Sequence, residues 1–455
     1  MSASIIRQWN PEDPVFWKRQ GEVVARRNLW VSIPALALSF AVWMLWSVVV
    51  VHLPAAGFRY STNQLFWLTA LPALCGATLR IFYAFAVPVI GGRRFTTLAT
   101  ASLLLPAVGI GLAVQDPSTP FEWMVVLALL CGLGGGNFAS SMANISYFFP
   151  SARQGYALGL NAGLGHLGVA GMQLLVPLAI SASVFGIFDG PPQSTAQGPM
   201  WLQNAGFIWV PLILASTAAA WFGMDDLADR HAGMAEQAVV FTRRHNWLMC
   251  WLYLGTFGSF IGFAAGFPLL LASQFAGADL MAMAWVGPLV GAVLRPLGSW
   301  LSDRFGGARI TFWCLVTMLL GTLGELQALA LAVVDPKAGP MVVMTGFVLL
   351  FAAAGIGSSS VFRMVPLIFA RLHESTGAVA AERASRQANV EAAATLGFCS
   401  AIGAYGGFVI PKSFGTALAW TGSAAPALAM FALFYLSCIA LTWWHYARPG
   451  AALPC

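Results

Sequence analysis

About twelve long apolar segments, each of roughly 18 residues or more, follow one another along this chain. Segments of that length can cross the roughly 30 Å hydrocarbon core of a bilayer as helices. They are too many and too evenly spaced for the buried helices of a soluble core. We therefore predict an all-α integral membrane protein with twelve transmembrane helices. The approximate spans are 29–53, 63–88, 96–114, 121–148, 154–181, 205–223, 245–273, 281–302, 309–334, 340–370, 389–415 and 424–447.

The composition agrees with a membrane location. Of 455 residues, 58% are hydrophobic and only 9% are charged, whereas a soluble domain has roughly 25% charged residues. The seven cysteines lie almost all within apolar segments and show no disulfide or metal-ligand spacing. The first 28 residues are polar and do not resemble a cleavable signal peptide. We expect no metal and no cofactor.

The distribution of basic residues predicts the orientation. If both termini lie on one side, that side carries seventeen Lys and Arg residues and the other side carries three, Arg59, Lys337 and Lys412. The positive-inside rule then places both termini in the cytoplasm. The seventeen are Arg7, Lys18, Arg19, Arg26, Arg27, Arg93, Arg94, Arg153, Arg230, Arg243, Arg244, Arg304, Arg309, Arg371, Arg383, Arg386 and Arg448.

The longest charged interruption, 224–246, separates six segments from six and is predicted to be a cytoplasmic linker. The predicted organisation comprises two six-helix bundles with a polar segment at either end. In chain order these parts are an N-terminal cytoplasmic segment at 1–28, a first bundle at 29–223, the linker at 224–246, a second bundle at 247–447 and a cytoplasmic tail at 448–455.

Two arginines lie deep inside apolar segments at matching positions. Arg80 and Arg295 each precede a paired glycine by eleven residues, in segments two and eight. Eleven helical residues span roughly 16 Å, which places both guanidinium groups near the bilayer midplane. Charges at that depth are costly and usually functional. The matching positions indicate that the two halves are structural repeats.

Glycine spacing provides a second correspondence between the halves. Segment five contains GLNAGLGHLG at 159–168 and segment eleven contains GFCSAIGAYG at 397–406. Glycines at matching spacing indicate close helix packing, and a helix with such contacts can also border a narrow site. Gly159, Gly165 and Gly168 match Gly397, Gly403 and Gly406 in spacing. Gly163 and Gly407, beside the matched positions, are further candidates of the same kind.

The hairpin after segment eight, GSWLSDRFGGAR at 298–309, resembles the cytoplasmic signature loop of the major facilitator superfamily. The first half keeps only GGRR at 91–94. This resemblance implies the superfamily fold, with two six-helix repeats and a substrate site between them at the midplane.

An anionic substrate would neutralise the two arginines. Most acidic residues are predicted to lie in loops or at segment ends, and only Glu325 looks well embedded. Two guanidinium groups facing one cavity repel each other unless water or an anion intervenes. The planar fork of arginine suits flat oxyanions such as nitrate, nitrite, bicarbonate or a carboxylate. Arg363, near the cytoplasmic end of segment ten, is instead expected to extend to the membrane interface.

Two further motifs resemble the signatures of the nitrate/nitrite porter family, closest to its NarK type. They are GGGNFASSMANISYFFP at 134–150, followed by the segment-five glycines, and GFCSAIGAYGGFVIPKSFG at 397–415. The resemblance extends over nearly the whole chain and includes WNPEDPVFW at 9–17 and FGSFIGF at 257–263. It implies a bacterial inner-membrane transporter of nitrate and nitrite with a role in nitrate assimilation.

The resemblance also implies roles for individual residues. Arg80 and Arg295 match the family's substrate-binding arginines, Phe138 and Phe257 match aromatic residues on either side of the anion, and Tyr253 matches a hydroxyl near the site. One position departs from the pattern. The NarK type usually has asparagine where this chain has His166, which can donate a hydrogen bond or take up a proton.

The sequence leaves the mode of coupling open. Entry of an anion into a negative-inside cell is opposed by about 2.3 kcal/mol per 100 mV. Exchange of nitrate for nitrite is electroneutral and is favoured by the scarcity of central carboxylates, whereas His166 leaves proton symport possible. The alternatives are a porter for another small anion and a non-transporting anion sensor. An enzyme is disfavoured because no nucleophile–base pair, metal-ligand set or phosphate loop is present. The protein is expected to act as a monomer.

Overall fold

Twelve helices of the computed structural model are long and apolar enough to cross a membrane, counted among the residues it describes, 5–196, 198–228, 238–275, 280–334, 338–373, 378–451 and 453–455. The predicted twelve-helix membrane fold is therefore confirmed. In chain order the spans are α1 Pro14–His52, α2 Thr62–Tyr83, α3 Gly92–Ala113, α4 Phe121–Phe148, α5 Ser151–Ile180, α6 Asn204–Gly223, α7 Arg244–Gln274, α8 Met281–Phe305, α9 Gly307–Ala332, α10 Gly339–Leu372, α11 Gln387–Thr421 and α12 Ala425–Ala447.

Several spans contain breaks in their regular helices. The regular helices of the interrupted spans are Glu22–Met44 and Trp46–His52 in α1, Gly92–Ser102 and Leu104–Ala113 in α3, Asn204–Phe207 and Trp209–Gly223 in α6, Arg244–Tyr253 and Ser259–Gln274 in α7, Val286–Phe305 in α8, Ala378–Ala404 and Gly406–Thr421 around α11, and Ala425–Thr442 in α12. The helix of α2 continues to Ile90, that of α9 to Val334, and that of α10 begins at Ala338.

The first helix begins earlier than the apolar segment suggested. Asp13 accepts a hydrogen bond from the Val15 backbone N–H, and Pro14 occupies the first helical turn. These are favourable helix-start residues. Trp17 is buried against Phe149, which anchors the polar first turns to the protein. The polar N-terminal segment is therefore partly helical, because charged residues interrupt the apolar pattern without interrupting the helix.

The chain divides into two compact units, each held together by its own internal contacts. The first contains α1 to α6 together with Ala264–Ala272 and Met281–Trp285. The second contains the remainder of α7 and α8 and all of α9 to α12. Short strands lie outside the helices: Ile5–Ile6 pairs in parallel with Asp226–Leu227, and Gln193–Thr195 pairs antiparallel with Gly198–Met200.

The corresponding glycines of the two units make corresponding contacts. A Cβ added to Gly168 of α5 would lie 1.9 Å from the Ala37 carbonyl oxygen of α1, and one added to Gly406 of α11 would lie 2.4 Å from the Gly258 backbone of α7. Real Cβ atoms do not approach backbone atoms so closely. In each unit, therefore, the fifth helix packs against the backbone of the first through an absent side chain.

The other glycines named in these two segments are of two kinds. A Cβ at Gly165 would lie 2.7 Å from the Leu36 side chain, and one at Gly403 would lie 2.7 Å from the Tyr253 ring. By contrast, a Cβ at Gly159, Gly163 or Gly397 would meet nothing within 4 Å. Close packing explains only part of the glycine-rich pattern, since the latter positions face open space.

The paired glycines begin the third helix of each unit. Gly91 and Gly306 have φ values of +106° and +90°, in the region that favours glycine. Two residues later, the Arg93 N–H donates to the Asp226 carboxylate at 2.9 Å and the Ala308 N–H donates to the Cys455 backbone oxygen at 2.8 Å. A segment that follows the last helix of the unit thus caps the corresponding helix start in both units.

More carboxylates are buried than the sequence indicated. Besides Glu325, the described residues include four acidic side chains that are at most 5% exposed, Asp189, Asp225, Asp226 and Glu391. Arg27 pairs with Asp225, and Arg243 pairs with Glu391 through bonds of 2.8 and 2.9 Å. These bonds raise the pKa of the Arg243 guanidinium.

Asp189, Asp225 and Asp226 lie outside the twelve spans and Glu391 lies near the start of α11, in agreement with the prediction that such acids lie in loops or at segment ends. Their burial was not indicated, and for Asp225 and Glu391 the basic partners are distant in sequence. Part of the predicted linker, 229–237 with Arg230, lies outside the described residues, as does Lys337. The side chains of Arg383 and Arg386 also lie outside the described part of the chain. The linker assignment stays a prediction.

Replacing Gly168 by alanine tests the backbone contact between α5 and α1. The new Cβ would collide with the Ala37 carbonyl, and overpacking of this kind costs about 1–3 kcal/mol. Gly163→Ala on the same helix is the matched control, because its Cβ would enter open space. In detergent, thermal unfolding should occur at a clearly lower temperature for the first variant and be nearly unchanged for the second. Equal unfolding temperatures would contradict the packing described.

Candidate functional site

Arg80 is fully buried in the first unit and is held by backbone and aromatic groups. It is 1% exposed, and its Nε donates to the Gly135 carbonyl oxygen at 2.8 Å. Its guanidinium carbon lies 4.7 Å from the centre of the Phe138 ring and 5.0 Å from that of Trp43. Aromatic faces attract cations and leave the edge of the guanidinium to other acceptors. The side chain is thus fixed in position without using all of its donors on these groups.

Glycines on two helices bring the Gly135 carbonyl within reach of Arg80. A Cβ added to Gly76 of α2 would lie 3.0 Å from the Gly135 Cα and 3.1 Å from the Gly132 carbonyl oxygen of α4. The backbones of α2 and α4 therefore approach closely one turn before Arg80. Gly135 and Gly136 are part of this contact, whereas Gly134 packs against the Ser39 backbone of α1. Side chains at these positions would separate the helices.

His166 of the same unit also lies beside Phe138. It is completely buried, and its ring centre lies 4.3 Å from that of Phe40 and 5.7 Å from that of Phe138. Its Nδ1 is hydrogen-bonded to the Ala162 carbonyl oxygen. A carbonyl can only accept, so Nδ1 carries the hydrogen. The neutral ring then has a lone pair on Nε2, and only the protonated ring can donate there.

Arg295 in the second unit has a different set of contacts. It is 7% exposed and donates from Nη2 to the Tyr253 hydroxyl oxygen at 3.0 Å. Its guanidinium carbon lies 5.5 Å from the centre of the Phe257 ring. Tyr253 accepts this bond with its oxygen, so its own hydroxyl hydrogen is directed to a different acceptor. Both arginines therefore lie beside a phenylalanine of the same unit.

A π-helical turn positions the two aromatic residues of the second unit. The helix Arg244–Tyr253 continues into the π turn Leu254–Gly258, which contains Phe257. The Tyr253 and Phe257 rings stack with centres 5.1 Å apart and planes 18° apart. Turns of this kind are rare and occur frequently at functional sites. Gly403 of α11 contacts both rings and keeps space for them.

Each unit brings together its share of the predicted site residues. Arg80, Phe138 and His166 form one group, and Arg295, Tyr253 and Phe257 form the other. Sequence reasoning missed Trp43 and Phe40, which α1 contributes to the first group. Nothing in their spacing separates them from the other aromatic residues of that helix.

The other residues singled out in the sequence lie outside the two groups. The Arg363 side chain is 49% exposed and bonds to Asp303 at 2.9 Å, so it is not part of either group. Gly407 is buried in α11. The cysteines are all free. Within the described ranges, no three His, Cys, Asp or Glu side chains cluster in a way that would hold a metal ion.

Comparisons with known proteins place the chain among transporters. Residues 31–381 match the Major Facilitator Superfamily. The chain is 47% identical over 453 residues to the nitrate/nitrite transporter NarU of Escherichia coli K12, covering 98% of this chain and 97% of that protein. It is 40% identical to the probable nitrate/nitrite antiporter NarK2 of Thermus thermophilus, covering 99% and 98% of the two chains. This chain belongs to the nitrate/nitrite porter family of that superfamily.

Members of this family are transporters, and the chain is a multi-pass membrane protein rather than an enzyme. A solved structure agrees with the fold. The crystal structure of a bacterial homologue of the human lysosomal transporter Spinster, in an inward-facing and occupied conformation, matches with a TM-score of 0.59. The match covers 91% of this chain and 95% of that one at 15% identity, which supports the fold alone.

Replacing Gly403 by alanine tests whether the Tyr253 position matters for transport. Its Cβ would lie 2.7 Å from the ring of Tyr253, whose hydroxyl oxygen accepts the hydrogen bond from Arg295. Displacement of a site by about 1 Å can reduce rates by up to about a hundredfold, so we expect a loss of roughly tenfold or more. Gly397→Ala is the control, because its Cβ would meet nothing within 4 Å. Nitrate uptake into vesicles should be slower for Gly403→Ala than for Gly397→Ala. Equal uptake rates would show that transport tolerates a displaced Tyr253.

Proposed function

We propose that this protein transports nitrate and nitrite across the bacterial inner membrane, with both termini in the cytoplasm, and that it acts as a monomer. The observation that carries the proposal is a pair of buried arginines at repeat-equivalent positions, each beside a phenylalanine. The high identity to NarU over nearly the full length supports the same substrates. The basic residues predicted in the cytoplasmic loops support the orientation.

In this proposal Arg80 and Arg295 bind one anion. A guanidinium presents several N–H donors in one plane, and nitrate and nitrite present their oxygens in one plane. The Phe138 and Phe257 rings would cover the faces of the anion and exclude water, while the Tyr253 hydroxyl would donate to an oxygen. Burial strengthens each of these interactions, because the dielectric constant is low where water is excluded.

Alternating access with exchange is the proposed mechanism. The two units would open the site to each side of the membrane in turn, around the bound anion. Repulsion between two guanidinium groups disfavours closure of an empty site, and a bound anion removes this barrier. The site would then also need a bound anion to reopen toward the first side of the membrane. One nitrate entering for one nitrite leaving moves no net charge, so the membrane potential of about 2.3 kcal/mol per 100 mV does not oppose it.

Proton symport is the second candidate, and the His166 hydrogen bond favours it. Because Nδ1 donates to Ala162, a neutral His166 has only a lone pair on Nε2. An anion in contact with that nitrogen would require the protonated ring. If His166 contacts the anion, a proton would accompany it, and nitrate entry with one proton is also electroneutral.

Counterflow in proteoliposomes distinguishes the two mechanisms. Nitrite trapped inside the vesicles should accelerate labelled nitrate entry by about tenfold when no proton gradient is present, since exchange lets the loaded site return. Nitrate trapped inside should act in the same way. No acceleration by either internal anion, together with entry driven by an inward proton gradient, would reject exchange in favour of symport.

Replacing either buried arginine by lysine tests the planar fork. Lysine keeps the charge but lacks the paired donors, so Arg80→Lys and Arg295→Lys should each reduce nitrate transport by about a hundredfold. Arg363→Lys makes the same chemical change at a half-exposed position and should retain near-parent transport. Near-normal rates in either buried variant would refute the role of the guanidinium geometry.

A further inference from the structure

Glu325 is a fully buried carboxyl group that the proposed transport mechanism does not use. It lies in α9, within a membrane span, and is 1% exposed. Neither carboxyl oxygen has a hydrogen-bond partner among the described residues. An ionised carboxylate in such surroundings would be uncompensated, at a cost of several kcal/mol or more. The group is therefore held as the neutral, protonated acid.

The carboxyl lies at a close crossing of two helices. A Cβ added to Gly321 of α9 would lie 3.0 Å from the Gly346 carbonyl oxygen of α10, and one added to Gly346 would lie 2.9 Å from the Gly321 carbonyl oxygen. A Cβ at Gly346 would also lie 3.4 Å from the Glu325 Cγ. Glu325 thus packs against the backbone of Gly346, where a larger residue would crowd it.

The repeat shows that the fold does not require an acid at this position. Glu325 lies eighteen residues after Gly307, and the residue eighteen after the corresponding Gly92 is Ile110. Ile110 is completely buried in α3. An apolar side chain therefore fills the equivalent position of the first unit. The second unit carries an ionisable group there at an energetic cost, which in a membrane helix usually indicates function.

Among the described residues, Tyr435 of α12 is a titratable neighbour of Glu325. Tyr435 is buried within electrostatic range of the carboxyl, and Cys438 lies one turn further along the same helix. The Tyr435 hydroxyl and the Ser259 Oγ are 2.5 Å apart, and Ser259 donates to the Gly255 carbonyl oxygen at 2.7 Å. Since the Ser259 hydrogen is used there, Tyr435 donates to Ser259. The neighbour's hydroxyl hydrogen is thus directed away from Glu325.

Charged residues of the other neighbouring helices lie well away along their axes. Arg363 and Arg371 of α10 follow Gly346 by seventeen and twenty-five residues, or roughly 25 and 37 Å. Arg295 of α8 lies eleven residues before Gly306, and Glu325 lies nineteen residues after it. Along the antiparallel helices the two residues therefore differ in height by eight residues, or roughly 12 Å. Asp303 and Arg304 of α8 are closer to Gly306 and therefore farther from Glu325.

The last turn of α12, which carries His445, contacts α9 at Phe312, thirteen residues before Glu325. Among the described residues, no charged side chain therefore faces the carboxyl from α8, α10 or α12.

We propose that Glu325 is a proton-binding site and that transport requires the site to be occupied. The proposal rests on the function proposed above. Loss of the proton would place a negative charge at the crossing of α9 and α10, within electrostatic range of the Tyr435 hydroxyl. That hydroxyl is bonded through Ser259 to Gly255, in the π turn that carries Phe257. Ionisation of Glu325 thus disturbs the support of the anion site and stops exchange at alkaline pH.

Nitrate/nitrite exchange measured across pH tests this proposal. The parent and two neutral variants, Glu325→Gln and Glu325→Ile, are reconstituted and assayed from about pH 6 to about pH 9. Isoleucine is the residue of the first unit at the equivalent position, so the second variant guards against a folding defect specific to glutamine. Parent exchange should fall by about tenfold or more over this range, and both variants should lose less than about twofold.

Glu122→Gln is the matched control, since it makes the same change at an exposed position and should follow the parent profile. A decline of equal size in the parent and both Glu325 variants, or a parent profile that stays flat, would overturn the proposal.

Thermal unfolding across the same pH range provides a readout without substrate. The folded chain holds the proton and the unfolded chain releases it, so the parent should lose stability relative to the two Glu325 variants as pH rises. This difference would support the proton site even if no exchange occurred in any protein, in which case the nitrate/nitrite assignment alone would fail. No difference in unfolding at any pH would contradict the proton site.

Discussion

Keeping a guanidinium group inside a membrane protein is the constraint on which the described sites depend. The idealised cost of moving one such ion out of water is of order 20 kcal/mol, and several kcal/mol remain after relaxation. The first unit offsets this cost for Arg80 with a backbone carbonyl and two aromatic faces. The second offsets it for Arg295 with a phenol oxygen and one aromatic face. Close approach of helix backbones makes both arrangements possible, so the glycines and the arginines form one design.

Much of the fold could be predicted because its signals are local. Length and hydropathy defined the twelve spans, and equal spacing of Arg80 and Arg295 from their paired glycines revealed the repeat. The contacts of individual glycines could not be predicted in the same way. Gly163 and Gly165 are two residues apart on α5, yet one faces open space and the other packs on Leu36. Their difference depends on where a neighbouring helix passes, which spacing within one segment does not contain.

Partners distant in sequence explain the other gaps between prediction and structure. Asp225 and Glu391 looked like ordinary loop or segment-end acids, but Arg27 and Arg243 pair with them from elsewhere in their units. Trp43 joins the Arg80 group from another helix for the same reason. Glu325 was the reverse case. Its apolar surroundings in sequence correctly indicated burial, because the neighbours that isolate it are mostly apolar as well.

The glycine contacts also limit how each unit can change shape. Gly168 lies against the α1 backbone at Ala37, and Gly406 lies against the α7 backbone at Gly258. With backbone touching backbone, neither helix of a pair can slide along the other without driving a Cβ of an adjoining turn into it. The two helices of each pair therefore move together as one rigid body, so a unit contains fewer independently moving bodies than helices. A side chain on either glycine would change how the two helices of that pair pack against each other.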